Sequence, residues 1–166
     1  MTPSAATPVH SHAETDADHG ARTAALLAAN INPRTGLATD YLNHFNEAIM
    51  LLEMIPDMPE CAEDFLNWQP LSYFEHFTAS NFKGKALAIE AYDTAETHIR
   101  VEFDNVTDAM TSILSAVGTA MREAQKDMTR SRLAEQAIIW VKPLVMQAGS
   151  IINGAGEADV DYIMNL

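Results

Sequence analysis

The stretch that decides the fold is residues 85–142, KALAIEAYDTAETHIRVEFDNVTDAMTSILSAVGTAMREAQKDMTRSRLAEQAIIWVK, which contains no proline and one glycine, Gly118. Strand-based units are interrupted by turn residues much more often than this. Apolar side chains recur at alternating spacings of three and four, which is typical of one face of a helix. In the first part of the stretch these positions are Ile89, Tyr92, Ile99, Phe103, Val106, Met110, Ile113, Val117 and Ala120.

A second helical pattern follows the first, so we expect the two helices to pack against each other. The second helix restarts near Asp127 and ends at Asn153-Gly154, where glycine is a common C-terminal cap. We therefore predict a long antiparallel helix hairpin over about 85–152. Its first arm is either one helix over 85–126 or a helix broken near 101–105.

Shorter helices are predicted upstream of the hairpin. Thr39 or Asp40 is a good N-cap for a helix that ends before Pro56. Two short amphipathic segments follow over 60–67 and 71–82, and no strand pattern competes with them. The predicted fold class is all-α, a helical bundle in which these shorter helices pack on the long hairpin.

The chain divides into three parts by composition. Residues 1–22 are polar and contain almost no large apolar side chain, so we expect a disordered N-terminal arm. Residues 23–154 form a single helical domain, and residues 155–166 form a loosely ordered acidic tail. Because the arm lacks the basic and apolar regions of a secretory signal, we expect a cytoplasmic protein.

The charge balance limits the classes of partner. The chain carries 23 acidic and 10 basic residues, a net charge of -13, which disfavours a nucleic acid or an anionic membrane as a partner. No apolar run is long enough to span a bilayer. The single cysteine, Cys61, excludes an intrachain disulfide.

Acidic residues concentrate in one segment of the chain. Between Thr35 and Phe82 there are eight acidic residues and no lysine or arginine, which predicts an acidic surface over 40–75 that binds a basic protein. Two methionines lie among these acids, and methionine adapts to irregular apolar surfaces. The predicted partner surface comprises Glu47, Met50, Met54, Glu60, Glu63 and Asp64.

The leading interpretation is a non-enzymatic interaction or regulatory protein that acts through this acidic surface. A homodimer is expected, because the hairpin seam is longer than the short helices that cover it. An enzyme is not favoured, since the chain has neither a Gly-x-Ser-x-Gly nucleophile motif nor a glycine-rich phosphate loop.

The alternative interpretation is a bundle that binds a small ligand through an aromatic segment. Six of the twelve aromatic residues fall within 65–82. They form either an aromatic cap over one end of the hairpin or the wall of a pocket. The candidate ligand-binding residues are Trp68, Tyr73, Glu75, His76 and Phe77.

A metal site is a second form of this alternative. The pairs His44-x-x-Glu47 and His98-x-x-x-Glu102 each place an imidazole and a carboxylate on one helix face, a donor set that suits divalent metals. The Glu-x-x-His signature of di-metal bundles does not occur in the chain. We therefore predict no cofactor, with a divalent metal at these four residues as the alternative.

Overall fold

The computed structural model describes residues 12–154, with side chains from residue 15 onward. Within that range the chain forms seven α-helices and one 3-10 turn, and its only β-type pairing is an isolated bridge between Ile31 and Ala38. The all-α helical bundle predicted from the sequence is confirmed. In chain order the elements are α1 (His12–Ala28), the 3-10 turn (Thr39–Tyr41), α2 (Leu42–Met54), α3 (Cys61–Asn67), α4 (Tyr73–Ala79), α5 (Lys85–Thr94), α6 (Thr97–Glu123) and α7 (Asp127–Ile152).

The core of the bundle lies between α2, α6 and α7. Helices α6 and α7 share the most extensive contact, and only residues 124–126 connect them. Helix α2 packs on α7, α3 packs on both α2 and α6, and α4 packs on α5. In the part of the chain described here, no helix is both long enough and apolar enough to cross a membrane.

The helix break after α5 lies at a different place from the one the sequence indicates. Residues 85–126 are not one helix, and 101–105 lie inside α6 without interruption. The chain instead turns at Ala95 and Glu96, whose backbones are extended, with ψ of 154° and 136°. Helix α5 is therefore a separate element, and the two-helix pair covers 97–152 rather than 85–152.

A tertiary contact explains the position of this break. Gly36 has a φ of +72°, and its Cα lies so close to α5 that an added Cβ would come within 2.8 Å of the Ala91 carbonyl oxygen. The turn that carries Gly36 thus packs against the last turn of α5 and the Ala95 side chain. Across the break, the Tyr92 hydroxyl donates to the Asp104 carboxylate at 2.7 Å and ties α5 to α6.

The buried face of α6 departs from the predicted seam in its second half. Phe103, Val106, Met110 and Val117 are buried as expected, but Ile113 is only partly buried. Beyond Met110, full burial falls on Leu114 and Met121, at 1% and 0% exposure, rather than on Ile113 and Ala120. A straight α-helix drifts about 20° per heptad relative to a 3.5-residue repeat, so the face shifts by one residue along the helix.

Helix α1 begins within the segment expected to be a disordered arm. The sequence interpretation assigned 1–22 to that arm, whereas α1 starts at His12; residues 1–11 and the predicted tail, 155–166, lie outside the described residues. Four of its last eight residues, 21–28, are alanine, which has the highest helix propensity. Arg22 joins α1 to Glu90 of α5 at 2.9 Å, and Leu26 inserts into the core.

Candidate functional site

Aromatic and histidine rings fill the space between the 3-10 turn, α2, α4 and α6. We call this group the aromatic–histidine cluster; its neighbouring ring centroids lie 4.6 to 6.2 Å apart. Four of the five predicted ligand-binding residues belong to it. The cluster comprises Tyr41, His44, Trp68, Tyr73, His76, Phe77 and Phe103.

The tyrosine hydroxyls of the cluster bind backbone atoms of the connecting segments. Tyr41 donates to the Leu71 carbonyl at 2.7 Å, and the Tyr73 hydroxyl accepts from the Ala38 N–H at 3.0 Å. Burial raises the pKa of Tyr73 to about 12, and that of Tyr41 is raised further. Both hydroxyls therefore keep their protons at neutral pH and act as structural hydrogen-bonding groups.

His44 is fully incorporated into this packing. Its ring stacks on Trp68 with centroids 4.6 Å apart, and its Nε2 accepts the Leu71 N–H at 2.9 Å. The Trp68 indole in turn donates to the His44 carbonyl at 3.2 Å. Burial, with a smaller contribution from nearby His76, lowers the pKa of His44 to about 4, so the ring is neutral at physiological pH.

His76 connects α4 to the 3-10 turn through a carboxylate. Its Nε2 lies 2.9 Å from the Asp40 Oδ2, and the two side chains are 15% and 30% exposed. The Asn43 amide donates to the other Asp40 oxygen at 3.2 Å. The sequence predicts Thr39 or Asp40 as a helix N-cap, but the N-caps of the 3-10 turn and of α2 are Ala38 and Tyr41, and the Asp40 carboxylate binds His76 instead.

Glu75, the fifth predicted ligand-binding residue, lies outside the cluster. It is exposed at the start of α4, where it forms a capping box with Ser72. Hydrogen bonds from the Ser72 backbone and hydroxyl lower the pKa of its carboxyl group. Of the other four residues, Trp68 and Tyr73 hydrogen-bond to backbone atoms, His76 contacts Asp40, and Phe77 packs against Tyr73 and His76.

The four candidate metal ligands are dispersed over two helices. The Nε2 of His44 is occupied by the Leu71 N–H, whereas His98 is 73% exposed and lies 3.4 Å from Glu96. Glu47 and Glu102 are exposed on α2 and α6. Among the described residues, no group of three or more histidine, cysteine or acidic side chains is placed to hold a metal ion.

The predicted partner surface is exposed on α2 and α3. Glu47 and Met50 are exposed, Met54 is partly buried, and their spacing places all three on one face of α2. Met58, which follows in the turn and was not predicted, is 39% exposed. We call the combined set the methionine–acid surface: Glu47, Met50, Met54, Met58, Glu60, Glu63 and Asp64.

Four carboxylates of this surface have no cationic partner among the described residues. No ion pair formed by the described residues includes Glu47, Glu60, Glu63 or Asp64. Two other acids of the predicted 40–75 surface contact basic side chains: Asp40 lies against His76, and Glu53 pairs with Lys142 of α7. Unpaired carboxylates therefore lie in the same segment of the chain as the methionines.

Cys61 lies beneath this surface and has the properties of a structural thiol. It is buried at the start of α3, and burial together with the carboxylates of Glu60 and Asp64 raises its pKa. A thiol that keeps its proton is a poor nucleophile. The acidic residues around it therefore do not activate it.

A cavity of about 220 Å³ lies where the C-terminal end of α3 meets α6; the predicted ligand-binding residue Trp68 lines it, whereas its lining from α6 was not predicted. Arg122 stands at its edge and donates from Nη2 to the Leu66 carbonyl of α3 at 3.0 Å. The one available sequence signal was Gly118, the only glycine in the long helical stretch. The cavity is lined by Phe65, Leu66, Trp68, Gln69, Pro70, Leu114, Ser115, Gly118, Thr119 and Arg122.

Comparison with known proteins does not extend this description. No protein-family model matches the chain, and searches of curated proteins and of solved structures find no match either. The structure itself defines the class of protein: an all-α helical bundle with a buried aromatic–histidine cluster and an exposed surface of methionines and carboxylates.

Proposed function

We propose that the protein is a non-enzymatic interaction protein that binds a basic helical segment of a partner on the methionine–acid surface. The observation that carries this proposal is the side-by-side exposure of thioethers and unpaired carboxylates. Met50 and Met58 are 54% and 39% exposed. Four exposed acids in the same segment of α2 and α3 have no ion-pair partner among the described residues.

The chemistry of this surface suits an amphipathic helix that carries lysine and arginine. The apolar face of such a helix packs on flexible methionine side chains, which adapt to differing shapes. Its basic residues pair with the free carboxylates, and the net charge of -13 accelerates their encounter. Glu63 and Asp64 also stabilise the positive N-terminal end of α3, which holds both in the first turn.

The titratable groups inside the fold support a non-enzymatic role. His44 is neutral and its Nε2 is bound to the backbone. The tyrosines of the cluster and the Cys61 thiol have raised pKa values. These groups hold the connecting segments in place, and a reactive site needs pKa values nearer to neutrality.

A titration with a designed peptide tests the proposed function. The probe is a 14-residue helical peptide of leucine and lysine, and its counterpart carries glutamate in place of lysine. We expect micromolar binding of the basic peptide at 0.1 M salt, at least fivefold weaker binding at 0.5 M salt, and no binding of the acidic peptide. Isothermal titration calorimetry measures all three.

Charge reversal identifies the surface. Replacing Glu60, Glu63 and Asp64 with lysine should weaken peptide binding at least tenfold. The matched control replaces three exposed acids elsewhere, Glu102, Glu123 and Glu135, and changes the net charge equally. Circular dichroism verifies that both variants fold. Equal losses in the two variants would show a response to net charge alone and would contradict the proposed surface.

A cytoplasmic homodimer completes the proposal. Met128, Ile139 and Met146 are 66%, 66% and 74% exposed, and their spacing places them on one outer face of α7, flanked by Trp140 at 53%. Apolar side chains grouped in this way are typical of a protein–protein interface. The single free cysteine suits a reducing compartment.

Mass measurement tests the dimer. Size-exclusion chromatography with light scattering should give a mass of twice the 18.2 kDa of one chain. Replacing Ile139 and Met146 with serine should give a folded monomer. A wild-type protein that stays at 18.2 kDa up to 0.1 mM would contradict the homodimer.

A further inference from the structure

The cavity between α3 and α6 has the size and lining of a small-ligand site. Its volume of about 220 Å³ compares with about 30 Å³ of liquid volume per water molecule. It therefore accommodates about seven waters, or a ligand of roughly ten non-hydrogen atoms. Leu66, Trp68 and Pro70 supply apolar surface, while Gln69 and Ser115 add polar groups.

Arg122 presents a positioned cation to this cavity. One of its five N–H donors binds the Leu66 carbonyl, in the last turn of α3, where helix carbonyls lack intrahelical partners. This bond holds the guanidinium over the cavity. Among the described residues no carboxylate forms an ion pair with Arg122, so its other donors and its charge are free for a ligand.

Gly118 is an independent indication that the cavity is kept open. A glycine inside a helix is less stable than alanine, and close packing or unusual backbone geometry usually accounts for it. Here an added Cβ would meet nothing nearer than the Arg122 Nη1 at 3.8 Å and Phe65 at 4.0 Å. Packing therefore leaves room for alanine at this position. The missing methyl group preserves space directly beneath the guanidinium.

We propose that this cavity binds a small amphiphilic carboxylate. The carboxylate pairs with the free N–H donors of Arg122, because a guanidinium matches the geometry of a carboxylate. The apolar body of the ligand occupies the space above Gly118, against Leu66 and Trp68. This site is separate from the methionine–acid surface and does not depend on the function proposed for it.

Three probes of suitable size test the ligand class. Benzoate and hexanoate carry the proposed carboxylate, and benzamide is the neutral match of benzoate. We expect both carboxylates to bind with a Kd below 1 mM and benzamide to bind at least tenfold more weakly. Titration followed by amide NMR shifts should place the changes in 65–70 and 114–122. No carboxylate binding at 5 mM, or equal binding of benzoate and benzamide, would overturn the proposal.

Two variants of the cavity sharpen the test. Arg122→Gln should lower benzoate affinity at least tenfold while leaving benzamide affinity unchanged, and Arg132→Gln, at an exposed arginine of α7, should leave both affinities unchanged. Gly118→Ala should raise Tm by about 2–4 °C, because it removes the helix cost of glycine, yet weaken benzoate binding at least fivefold. Undiminished benzoate binding by Gly118→Ala would overturn the proposal even if Arg122→Gln fails to fold.

Discussion

His44 is 6% exposed and lies between Trp68, His76 and the backbone of Leu71. Its Nε2 must be unprotonated to accept the Leu71 N–H, so the folded state disfavours the imidazolium. Burial and the neighbouring His76 lower its pKa to about 4, against 6.5 in an unfolded chain. This single side chain therefore makes the stability of the bundle depend on pH.

The sign of that dependence follows from proton binding. Between pH 6.5 and pH 4 the unfolded chain holds more protons at this position than the folded chain does. Stability that is present above pH 6.5 is therefore lost as the pH falls toward 4. We expect His44 to account for a loss of about 2 kcal/mol between pH 7 and pH 5. Urea unfolding across this range measures it.

Substitution separates His44 from the other titrating groups. His44→Gln should remove most of the pH-dependent loss, although the variant is less stable at pH 7 because the ring packing is lost. His98→Gln is the matched control, since His98 is exposed and should leave the pH profile unchanged. A wild-type profile in His44→Gln would contradict the assignment.

The two histidines also show what local spacing leaves undetermined. His44 and His98 both precede a glutamate at helical spacing, yet one is buried and the other is 73% exposed. The difference arises from Trp68 and Leu71, in the segment between α3 and α4, which folds back over His44. Helical periodicity does not predict such a contact between distant parts of the chain.

At the scale of the helix, the buried face of α6 gives a direct stability test. Leu114 is 1% exposed, whereas Ile113 beside it is only partly buried. Leu114→Ala should lower the free energy of unfolding by about 2–4 kcal/mol, the range for a fully buried leucine. Ile113→Ala should cost about 1 kcal/mol, because fewer of its atoms leave water on folding. Urea denaturation of both variants should show this order. The reverse order would mean that Ile113, as the sequence predicts, lies on the buried face of the helix.

Helices whose ends are set by nearby proline, glycine or capping residues were predicted well. The stop of α2 before Pro56, the short helix α3 and the end of α7 at Asn153-Gly154 follow from local signals. The break between α5 and α6 does not follow from local signals, because Gly36, from a distant part of the chain, packs there against Ala91. Asp40 was misassigned for a related reason, since His76 comes from another helix.

In the candidate site too, features set by local sequence were predicted, and features set by contacts between distant segments were not. The six predicted partner-surface residues are exposed or partly exposed on α2 and α3, as amphipathic spacing implies. The α6 side of the cavity at Arg122 was not predicted, because the cavity forms only where α3 meets α6.

At the scale of the whole molecule, excess negative charge opposes the compact state. Only a few of the 23 acids pair with cations in the part of the chain that the structure describes. Salt shortens the range of the remaining repulsion, so Tm should rise by about 3–6 °C between 0.02 and 0.5 M sodium chloride. Scanning calorimetry at a series of salt concentrations measures this rise.

A charge variant controls for other effects of salt. Replacing Glu102, Glu123 and Glu135 with lysine brings the net charge from -13 to -7. The rise in Tm with salt should then become smaller. A Tm that falls with salt in the wild-type protein would show that attractive ion pairs outweigh the repulsion.

The Thr35 hydroxyl donates to the Ile152 carbonyl at 2.7 Å, and this buried bond joins positions 117 residues apart. Closing a loop of this length carries a larger entropic cost than closing a short one. Helices α6 and α7, separated by three residues, can associate much earlier. We therefore expect the contact between Thr35 and Ile152 to form late in folding, so that its loss should speed unfolding more than it slows folding.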